Sequence, residues 1–443
     1  MVKIHTVGGY TEVGKNMTVI ELEEDAFIID NGFYLPAVVS MQEKDRNPTE
    51  RALRNVGALA DDRNIKKIAH KVCAQIVAHG HLDHVGGVPF TSDKYNAPIY
   101  GTPFTIEILK SLLADNEITL KNKLYAVKPN TAFYVQGKNK KYRVEFINVT
   151  HSILQTVLVA IHTPQGIILY CNDFKLDKTP VYNMKTNYKR LQEIGKEGIL
   201  CMIVDSLYAD NERKTPSEKI ARALLKEVMS PDQVGKNGLI VTSFSSHIER
   251  LKSIVDYGQK LNREIVFLGR SLDKYCRAAQ SAGLADFTQG IKISRYRRQV
   301  ESSLRKVEKD KDKYLIVCTG HQGEPGSILE RLSRHDLPFH IQRNDNIVFS
   351  SSVIPTPVNR DQFAKMEGRL RKHKPRIFRD AHVSGHASRE DLRDFLEILN
   401  PKHVIPAHAD SPKIEAMMNL LVEEGYKRGR NAHLMIDGGV LEL

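Results

Sequence analysis

His79-Gly-His-Leu-Asp-His-Val-Gly-Gly-Val88 is the stretch of sequence that decides the fold of this chain. It places three histidines and one aspartate within six residues, directly after the apolar run Ala74-Gln-Ile-Val-Ala78. An apolar run that ends in glycine and polar residues predicts a buried strand that opens onto a loop. Imidazole and carboxylate groups are the donors that a borderline-soft divalent metal prefers. The loop therefore predicts a metal site. Its four donors exceed what one tetrahedral ion takes beside a reacting water, so we expect two ions.

Two simpler interpretations of this loop are a histidine-rich surface loop and a single structural zinc site. Structural zinc sites favour cysteine ligands in closed tetrahedra. The five cysteines of the chain are scattered and form no Cys-x-x-Cys pair: Cys73, Cys171, Cys201, Cys276 and Cys318. We interpret them as reduced core residues, which predicts a cytoplasmic location.

Length and composition limit the class of protein. A chain of 443 residues predicts two domains, or one domain with a large insert. Its 41% hydrophobic and 27% charged residues are typical of a soluble globular protein. No apolar run approaches the roughly 18–20 residues that span a bilayer, so we expect no membrane partner. The net charge of +12 indicates a polyanionic partner.

Further candidate ligands follow other apolar runs. His151 follows Arg143–Thr150, Asp173 comes shortly after Ile167–Cys171, and His408 directly follows His403–Ala407. Residues at the same ends of neighbouring strands lie along one edge of a sheet. This regularity predicts that His151, Asp173 and His408 converge on the loop that begins at His79.

The region from about 206 to 375 has a different character. Four short apolar runs, Leu239–Val241, Ile265–Leu268, Tyr314–Val317 and Ile347–Phe349, alternate with amphipathic segments. Alternating strands and helices predict a parallel sheet. Each run enters a small polar loop, at 242–247, 269–271, 319–324 and 350–352. Such loops suit phosphate groups, although ordinary turns are the simpler interpretation.

Several motifs together resemble those of one known family. They include Val7-Gly-Gly-Tyr-Thr-Glu-Val-Gly-Lys-Asn16, the loop at 79–84, Asn172-Asp-Phe-Lys175, and Ala381-His-Val-Ser-Gly-His-Ala387. In their order along nearly the whole chain they resemble the β-CASP metallo-β-lactamase nucleases, and among these ribonuclease J of the archaeal type. The resemblance implies an α/β fold. A metallo-β-lactamase αββα sandwich would be formed by residues 1–205 and 376–443, with a parallel-sheet β-CASP domain inserted at 206–375.

The resemblance also implies roles for individual residues. It places one zinc ion on His79, His81 and His151 and a second on Asp83, His84 and His408, with Asp173 bridging them; Mn²⁺ or Mg²⁺ are alternative metals. Asp30 and Asp205 are predicted to lie behind the ligands, with Asp205 orienting a ligand such as His408. His386 is the predicted proton donor to the leaving oxygen, and Asp83 and Asp173 also serve catalysis. The predicted contacts to RNA and to a 5′-phosphate are His382, Ser384, Gly385, His386, Ser351 and Ser352.

The implied function is that of a two-metal phosphodiesterase acting on single-stranded RNA. We expect a zinc-dependent 5′-to-3′ exoribonuclease that favours 5′-monophosphorylated RNA, with added endonuclease activity, in RNA decay and maturation. The alternatives are a DNA-processing β-CASP nuclease and a non-catalytic RNA-binding relative. A small-molecule hydrolase would share the 79–84 loop but would have no use for the insert. A homodimer and a helicase or exosome-type decay partner are further expectations.

Overall fold

A seven-stranded sheet forms the first layer of the molecule. The structure, a computed structural model, describes residues 1–41, 48–354 and 357–443. In chain order the strands of this sheet are β1 (Lys3–Gly8), β2 (Met17–Glu21), β3 (Ala26–Ile29), β4 (Val72–Val77), β5 (Ile99–Gly101), β6 (Leu124–Ala126) and β19 (Gly439–Glu442). Their spatial order is β19-β1-β2-β3-β4-β5-β6, antiparallel from β19 to β3 and parallel from β3 to β6.

A six-stranded sheet forms the second layer. Its strands are β7 (Thr131–Gln136), β8 (Lys141–Asn148), β9 (Val157–Thr163), β10 (Gly166–Cys171), β11 (Ile199–Asp205) and β18 (His403–Ala407), in the order β18-β11-β10-β9-β8-β7. Strands β10, β11 and β18 are parallel, and β8 and β10 both pair antiparallel with β9. Strands β8, β10, β11 and β18 therefore share one direction, and the residues that follow them lie at one edge of this sheet.

Apolar side chains fill the space between these two sheets. Phe27 and Ile76 of the first sheet share a buried cluster with Phe146, Ile168 and Ile203 of the second. Helices cover the outer faces. A 3₁₀ helix at Asp62–Lys71 lies on the first sheet and three α-helices pack on the second. The resulting helix–sheet–sheet–helix order is the αββα sandwich, so the predicted fold class is confirmed.

This first unit contains eight α-helices among the residues that the structure describes. They are α1 (Leu35–Met41), α2 (Glu50–Asn55), α3 (Leu82–Val85), α4 (Val88–Thr91), α5 (Pro103–Asp115), α6 (Tyr188–Glu197), α14 (Arg389–Leu399) and α15 (Ser411–Glu423). Asn187 and Asp410 cap α6 and α15 by accepting hydrogen bonds from the backbone N–H groups of Arg190 and Lys413. The unit comprises Met1–Lys178, Met184–Thr215 and Gly385–Leu443.

A second compact unit, Thr179–Asn183 and Pro216–Ser384, interrupts the first along the chain. Its sheet is wholly parallel, with strands β12 (Leu239–Thr242), β13 (Glu264–Leu268), β14 (Lys292–Ser294), β15 (Tyr314–Cys318), β16 (Asn346–Phe349) and β17 (Arg376–Phe378) in the order β14-β13-β15-β12-β16-β17. Its helices are α7 (Glu218–Val228), α8 (Pro231–Val234), α9 (Ile248–Lys260), α10 (Arg270–Ser281), α11 (Arg297–Lys309), α12 (Ile328–Ser333) and α13 (Pro357–Lys372).

The sequence correctly predicted a parallel sheet for this second unit, but it predicted only four of the six strands that the structure describes. All four predicted apolar runs form strands, and their parallel arrangement is confirmed. The two short edge strands β14 and β17 were not predicted, because three residues beside basic clusters carry too little periodicity to show. The domain bounds of 206 and 375 stay a prediction. Over the part of the chain that the structure describes, no helix combines the length and apolar character that crossing a membrane requires.

Candidate metal centre

The loop after β4 is held in place by glycine and backbone contacts. His81 is the N-cap of the one-turn helix α3, which carries Asp83 and His84. The backbone N–H groups of Asn31 and Phe33 donate to carbonyl oxygens of this helix, at 2.8 and 2.9 Å. A Cβ atom on Gly32 would lie 1.6 Å from the carbonyl oxygen of Asp83, so only glycine allows this approach. The chain after β3 therefore fixes the turn that aims the side chains of Asp83 and His84.

Three histidine nitrogens converge in a first cluster. His81 Nδ1 lies 3.1 Å from His79 Nε2 and 3.1 Å from His151 Nε2. One carboxylate oxygen of Asp173, Oδ2, lies 3.3 Å from His79 Nε2 and 3.4 Å from His151 Nε2. These four donor atoms form one group within 4.8 Å of each other.

A second cluster shares Asp173 with the first. Its other members are Asp83, His84 and His408, again within 4.8 Å. Asp173 Oδ1 lies 3.3 Å from His408 Nε2, and Asp173 Oδ2 lies 3.3 Å from His84 Nε2. Asp83 Oδ2 is 3.7 Å from His84 Nε2 and 3.9 Å from His408 Nε2. The structure thus brings together all seven side chains that the sequence singled out as ligands, and it places Asp173 between two groups of three.

The spacing and chemistry of these donors fit divalent cations. Four ligands about 2.0–2.1 Å from a tetrahedral zinc ion are roughly 3.3 Å from each other, close to the separations in the first cluster. Imidazole nitrogens that face each other at 3.1 Å bring lone pairs together, which a cation between them would relieve. Asp173 Oδ1 is buried and has no hydrogen-bond partner among the described residues. A buried carboxylate oxygen without a donor is costly unless a cation binds it.

Burial sets the protonation of the first cluster. Desolvation lowers the pKa of His79, and it lowers the pKa of His81 and His151 well below the usual value. These imidazoles are therefore neutral at pH 7 and offer lone pairs. In the second cluster, burial lowers the pKa of His84, but the carboxylates of Asp173, Asp30 and Asp83 outweigh it and raise that pKa well above the usual value. This excess of carboxylate is the charge pattern of a cation site.

Residues behind the ligands fix the orientation of the rings. Asp30 accepts a hydrogen bond from His84 Nδ1 at 2.6 Å and another from the hydroxyl of Tyr170 at 2.8 Å. His151 Nδ1 donates to the carbonyl of Gly385 at 2.7 Å. His408 Nδ1 donates to Asn16 Oδ1 at 3.0 Å. Each of these contacts leaves the opposite ring nitrogen facing the cluster.

Asp205 was predicted to orient a ligand such as His408, but its partner in the structure is a different histidine. Asn16 holds His408, whereas Asp205 Oδ2 accepts from His386 Nδ1 at 2.7 Å. Asn16 lies 392 residues before His408, and a lone asparagine after a glycine-rich turn gave no signal of this role. The sequence feature that could have identified Asn16 is the Val7–Asn16 motif as a whole, since it contributes to the family resemblance.

The imidazole of His386 lies beside the carboxylate of Asp173. Donor atoms of Asp173, Asp205 and His386 lie within 4.8 Å of each other, and the His386 ring stacks on His408 with 5.6 Å between centroids. Burial lowers the pKa of His386, but Asp205 and Asp173 outweigh burial and raise it to about 9. A histidine in this position holds a proton at neutral pH and can present it at Nε2.

Three site residues adopt a backbone conformation that is uncommon outside glycine. The φ angles of Asp30, Asp173 and His408 are 60°, 60° and 56°, in the left-handed region. Each residue comes one or two positions after the end of a strand, at β3, β10 and β18. The left-handed turn redirects the side chain sharply away from the line of the strand. Such strain persists where the surrounding structure enforces it, which is typical of functional sites.

The remaining predicted residues divide between the two units. Gly385 and His386 belong to the first unit, while His382, Ser384, Ser351 and Ser352 belong to the second. Ser351 is buried, and its hydroxyl has no hydrogen-bond partner among the described residues. Ser384 is half-buried and Ser352 is exposed. Their assignment to a 5′-phosphate stays a prediction.

A buried arginine that sequence reasoning missed holds His382 within the second unit. Arg250 is fully buried and forms a two-point ion pair with Glu218, at 2.5 and 2.8 Å. Its Nη1 donates to the carbonyl and the hydroxyl of Ser350, both at 2.9 Å, and to His382 Nδ1 at 3.3 Å. Arginine can only donate, so His382 Nδ1 accepts and its proton lies on Nε2. Burial, followed by Arg250, lowers the pKa of His382 well below the usual value, so this ring is neutral.

Comparison with known proteins gives similarity over the full chain. Residues 236–366 match the family description "Ribonuclease J, beta-CASP domain", and residues 373–433 match "Zn-dependent metallo-hydrolase RNA specificity domain". The chain is 40% identical to Ribonuclease J of Methanocaldococcus jannaschii over 444 residues, covering 100% of this chain and 98% of that protein. It is also 40% identical to Ribonuclease J of Pyrococcus abyssi over 446 residues, covering 100% and 97%.

A solved structure supports the fold. A protein of unknown function from Enterococcus faecalis V583 is similar with a TM-score of 0.66 and 15% identity, covering 100% of both chains. At that identity the similarity shows the fold alone. The two relatives at 40% identity, matched along nearly their whole length, show the family: this chain is a member of the ribonuclease J family.

Proposed function

We propose that this chain is a two-metal phosphodiesterase that degrades single-stranded RNA from the 5′ end. Ribonuclease J membership makes it a hydrolytic nuclease, and the RNA-specificity match agrees with an RNA substrate. The single observation that carries the two-metal proposal is the pair of donor clusters joined by Asp173. Two sites that share one carboxylate suit a pair of divalent ions a few ångströms apart, the arrangement of many phosphodiesterases.

The seven donors would divide between the two ions. His79, His81 and His151 would hold one ion, and Asp83, His84 and His408 the other, with Asp173 shared. When bound, the ions lower the pKa of a water and offset charge on the phosphoryl oxygens. Zinc suits this donor set, with Mn²⁺ or Mg²⁺ as alternatives. The neutral imidazoles of the first cluster offer lone pairs at pH 7, whereas His84 in the second cluster, whose pKa the surrounding carboxylates raise, would release its Nε2 proton as a cation binds.

His386 would protonate the leaving 3′ oxygen. Asp205 holds its Nδ1–H at 2.7 Å, which fixes the ring and directs Nε2 away from Asp205. Transfer of a proton from His386 to the departing oxygen leaves a 3′-hydroxyl on the released piece and a 5′-phosphate on the downstream strand. A positioned general acid of this kind contributes about 10²–10⁴-fold to a rate.

His382 would recognise the terminal 5′-phosphate. Its neutral ring presents an Nε2–H donor, because Arg250 occupies Nδ1. The buried hydroxyl of Ser351 offers a second donor in the same unit. A site with hydrogen-bond donors for a phosphate discriminates strongly against an RNA end that lacks the phosphate, because the donors are then left without an acceptor. We therefore expect 5′-monophosphorylated RNA to be degraded in preference to 5′-hydroxyl RNA, one nucleotide at a time.

The direction of degradation is tested with end-labelled substrates. Purified enzyme loaded with zinc is incubated with 5′-labelled and 3′-labelled copies of one RNA, each with a 5′-phosphate or a 5′-hydroxyl. The expected products are labelled mononucleotides from the 5′ label and a ladder of shortening fragments from the 3′ label. Release of mononucleotides from the 3′ label before any shortened fragment appears, or equal rates on both 5′ ends, would contradict the proposal.

Matched DNA separates the proposal from its nearest alternative. Equal degradation of a DNA strand of the same sequence would favour a DNA-processing enzyme. Binding of RNA without cleavage by the metal-loaded protein would favour a non-catalytic relative. Added endonuclease activity, homodimerisation, a helicase or exosome-type partner, and a cytoplasmic location stay predictions from the sequence.

A further inference from the structure

At one edge of the first unit, a segment of the chain carries basic residues and no acidic ones. Residues 118–144 contain six lysines and one arginine and no aspartate or glutamate. The segment includes strands β6 and β7, which are the last strands of the first and second sheets. Each of these strands pairs on one side only within the sheets of this unit. The segment therefore presents two sheet edges that share one sign of charge.

An aromatic stack joins these two edges. Tyr125 of β6 pairs in register with Tyr100 of β5, and their rings are stacked with 5.1 Å between centroids. Tyr100 also stacks on Phe133 of β7, again at 5.1 Å. The interplanar angles are 17° and 27°, so the three rings form a nearly parallel ladder. Tyr125 is the outermost ring and is 44% exposed.

Three lysines lie beside the exposed end of this ladder. Lys121, Lys123 and Lys128 flank β6 and are all exposed. Among the described residues none of the three ammonium groups forms an ion pair; the nearest acidic contact is Asp93, whose Oδ1 accepts a hydrogen bond from the backbone N–H of Lys121 at 3.0 Å. Farther along the segment, Lys138 pairs with Glu24 and Arg143 pairs with Glu145, while Lys140 lies over the ring of Tyr142 and Lys141 is exposed. Three lysines whose ammonium groups form no ion pair among the described residues thus flank the strand that carries Tyr125.

We propose that this edge binds the body of a single-stranded RNA, outside the residues that react. Phosphates would contact Lys121, Lys123 and Lys128, and a base would stack on the open face of Tyr125. A basic strip with an exposed aromatic ring is the pattern by which proteins hold single strands without reading their sequence. The inference rests on the proposed function in one respect, that the substrate is RNA.

The alternative occupant of an open sheet edge is another protein chain. Unpaired edge strands invite pairing with a second copy. A two-fold contact would, however, set the same patch against itself, with the three lysines of each copy facing those of the other. Like charges in such an interface are unfavourable, whereas a polyanion neutralises them. The charge of the edge therefore favours RNA.

The first test compares two tyrosines on the same edge. Tyr134 of β7 is 66% exposed, but its neighbour Phe133 is the residue that joins the ladder, so Tyr134→Ala is a matched control. Binding of a fluorescent 20-nucleotide phosphorothioate RNA, which resists hydrolysis, is measured by anisotropy. Loss of a base stack costs about tenfold in affinity, so Tyr125→Ala should raise the Kd about tenfold and Tyr134→Ala should leave it unchanged.

The second test removes the charge. The triple variant Lys121→Gln, Lys123→Gln and Lys128→Gln should reduce the slope of log Kd against log salt concentration by about 2, since each phosphate contact on a single strand contributes about 0.7. The control triple Lys66→Gln, Lys67→Gln and Lys402→Gln removes the same charge from exposed positions elsewhere in the unit. With hydrolysable RNA, the edge variants should raise KM for a 20-mer, while kcat and the hydrolysis of a trinucleotide stay unchanged.

The outcomes separate this inference from the function on which it rests. If the unaltered enzyme neither binds nor cleaves RNA, the proposed function fails. If it does both and the edge variants match their controls, the edge proposal alone is overturned. Sedimentation velocity supplies the remaining outcome: a change of oligomeric state in Tyr125→Ala would mean that the edge contacts a second copy, which also overturns it.

Discussion

Two buried charged clusters, one in each unit, differ in whether a positively charged side chain of the protein neutralises their carboxylates. In the second unit the guanidinium of Arg250 meets both oxygens of Glu218 and four further acceptors. In the first unit Asp83 and Asp173 stand among imidazoles whose lone pairs face each other. The cluster in the second unit contains its own cation, Arg250, whereas in the part of the chain that the structure describes no lysine or arginine forms an ion pair with Asp83 or Asp173. A buried charged cluster therefore indicates a structural role where its own side chains pair all of its charges. It indicates ligand binding where carboxylates remain without such a partner.

The largest effect should come from removing one donor of the incomplete cluster. His79→Ala should reduce RNA hydrolysis by at least about 10³-fold, because the ions contribute several kcal/mol to the barrier. Metal content, measured by mass spectrometry, should fall with it. His162→Gln is the control, since Glu145, His162 and Glu197 also form a three-donor group, but Arg190 binds both glutamates. If His79→Ala retained both ions and full activity, the two-metal assignment would be wrong.

Breaking the complete cluster should instead cost stability. Arg250→Met leaves Glu218 buried without its cation, which should lower the free energy of unfolding by about 3–5 kcal/mol. Chemical denaturation followed by circular dichroism measures this loss. The double variant Glu218→Leu, Arg250→Met removes both charges and should recover a large part of the stability. A single variant as stable as the unaltered protein would show that the ion pair is not a structural element.

Removal of the metal should affect one unit and spare the other. At free ion concentrations one hundred times Kd, each bound ion stabilises the fold by about 2.7 kcal/mol, which chelation removes. Hydrogen exchange with and without chelator should show faster exchange at β10 and β18 and unchanged exchange at β12 and β15. Equal acceleration in both sheets would argue against a metal site confined to the first unit.

The smallest effect should come from Asn16, which is not one of the seven donors but contacts His408, the carbonyl oxygen of Asp83 and His84 Nε2. Asn16→Ala removes the acceptor of His408 Nδ1 and should lower metal affinity or activity about 10–100-fold. Asn16→Asp retains an acceptor at this position and should recover part of the loss. Titration of the apoprotein with zinc measures the affinity directly. If both variants bind zinc like the unaltered protein, the contact seen at 3.0 Å has no role in orienting His408.

The residues that could be predicted from sequence are those with a strong local pattern. His79, His81, Asp83 and His84 follow one apolar run at metal-ligand spacing, and His151, Asp173 and His408 each follow a strand. The four central strands of the second unit were predictable for the same reason, since their apolar runs are separated by helical periods. The resemblance implied a division of the ligands between two ions and a role for His386, and both stay predictions. It gave Asp205 the wrong partner, because a motif does not specify which of two histidines a carboxylate contacts.

Sequence alone determined the kinds of donor, their order along the chain and the strands that deliver them, because these depend on residue type and on periods of a few residues. Only the tertiary structure decided that Asn16 holds His408, that Arg250 fixes the proton of His382 on Nε2, and that Tyr125 ends an aromatic ladder. Each of those contacts joins positions far apart in the chain. Their distances depend on how sheets and helices pack, and packing leaves no local pattern in the sequence.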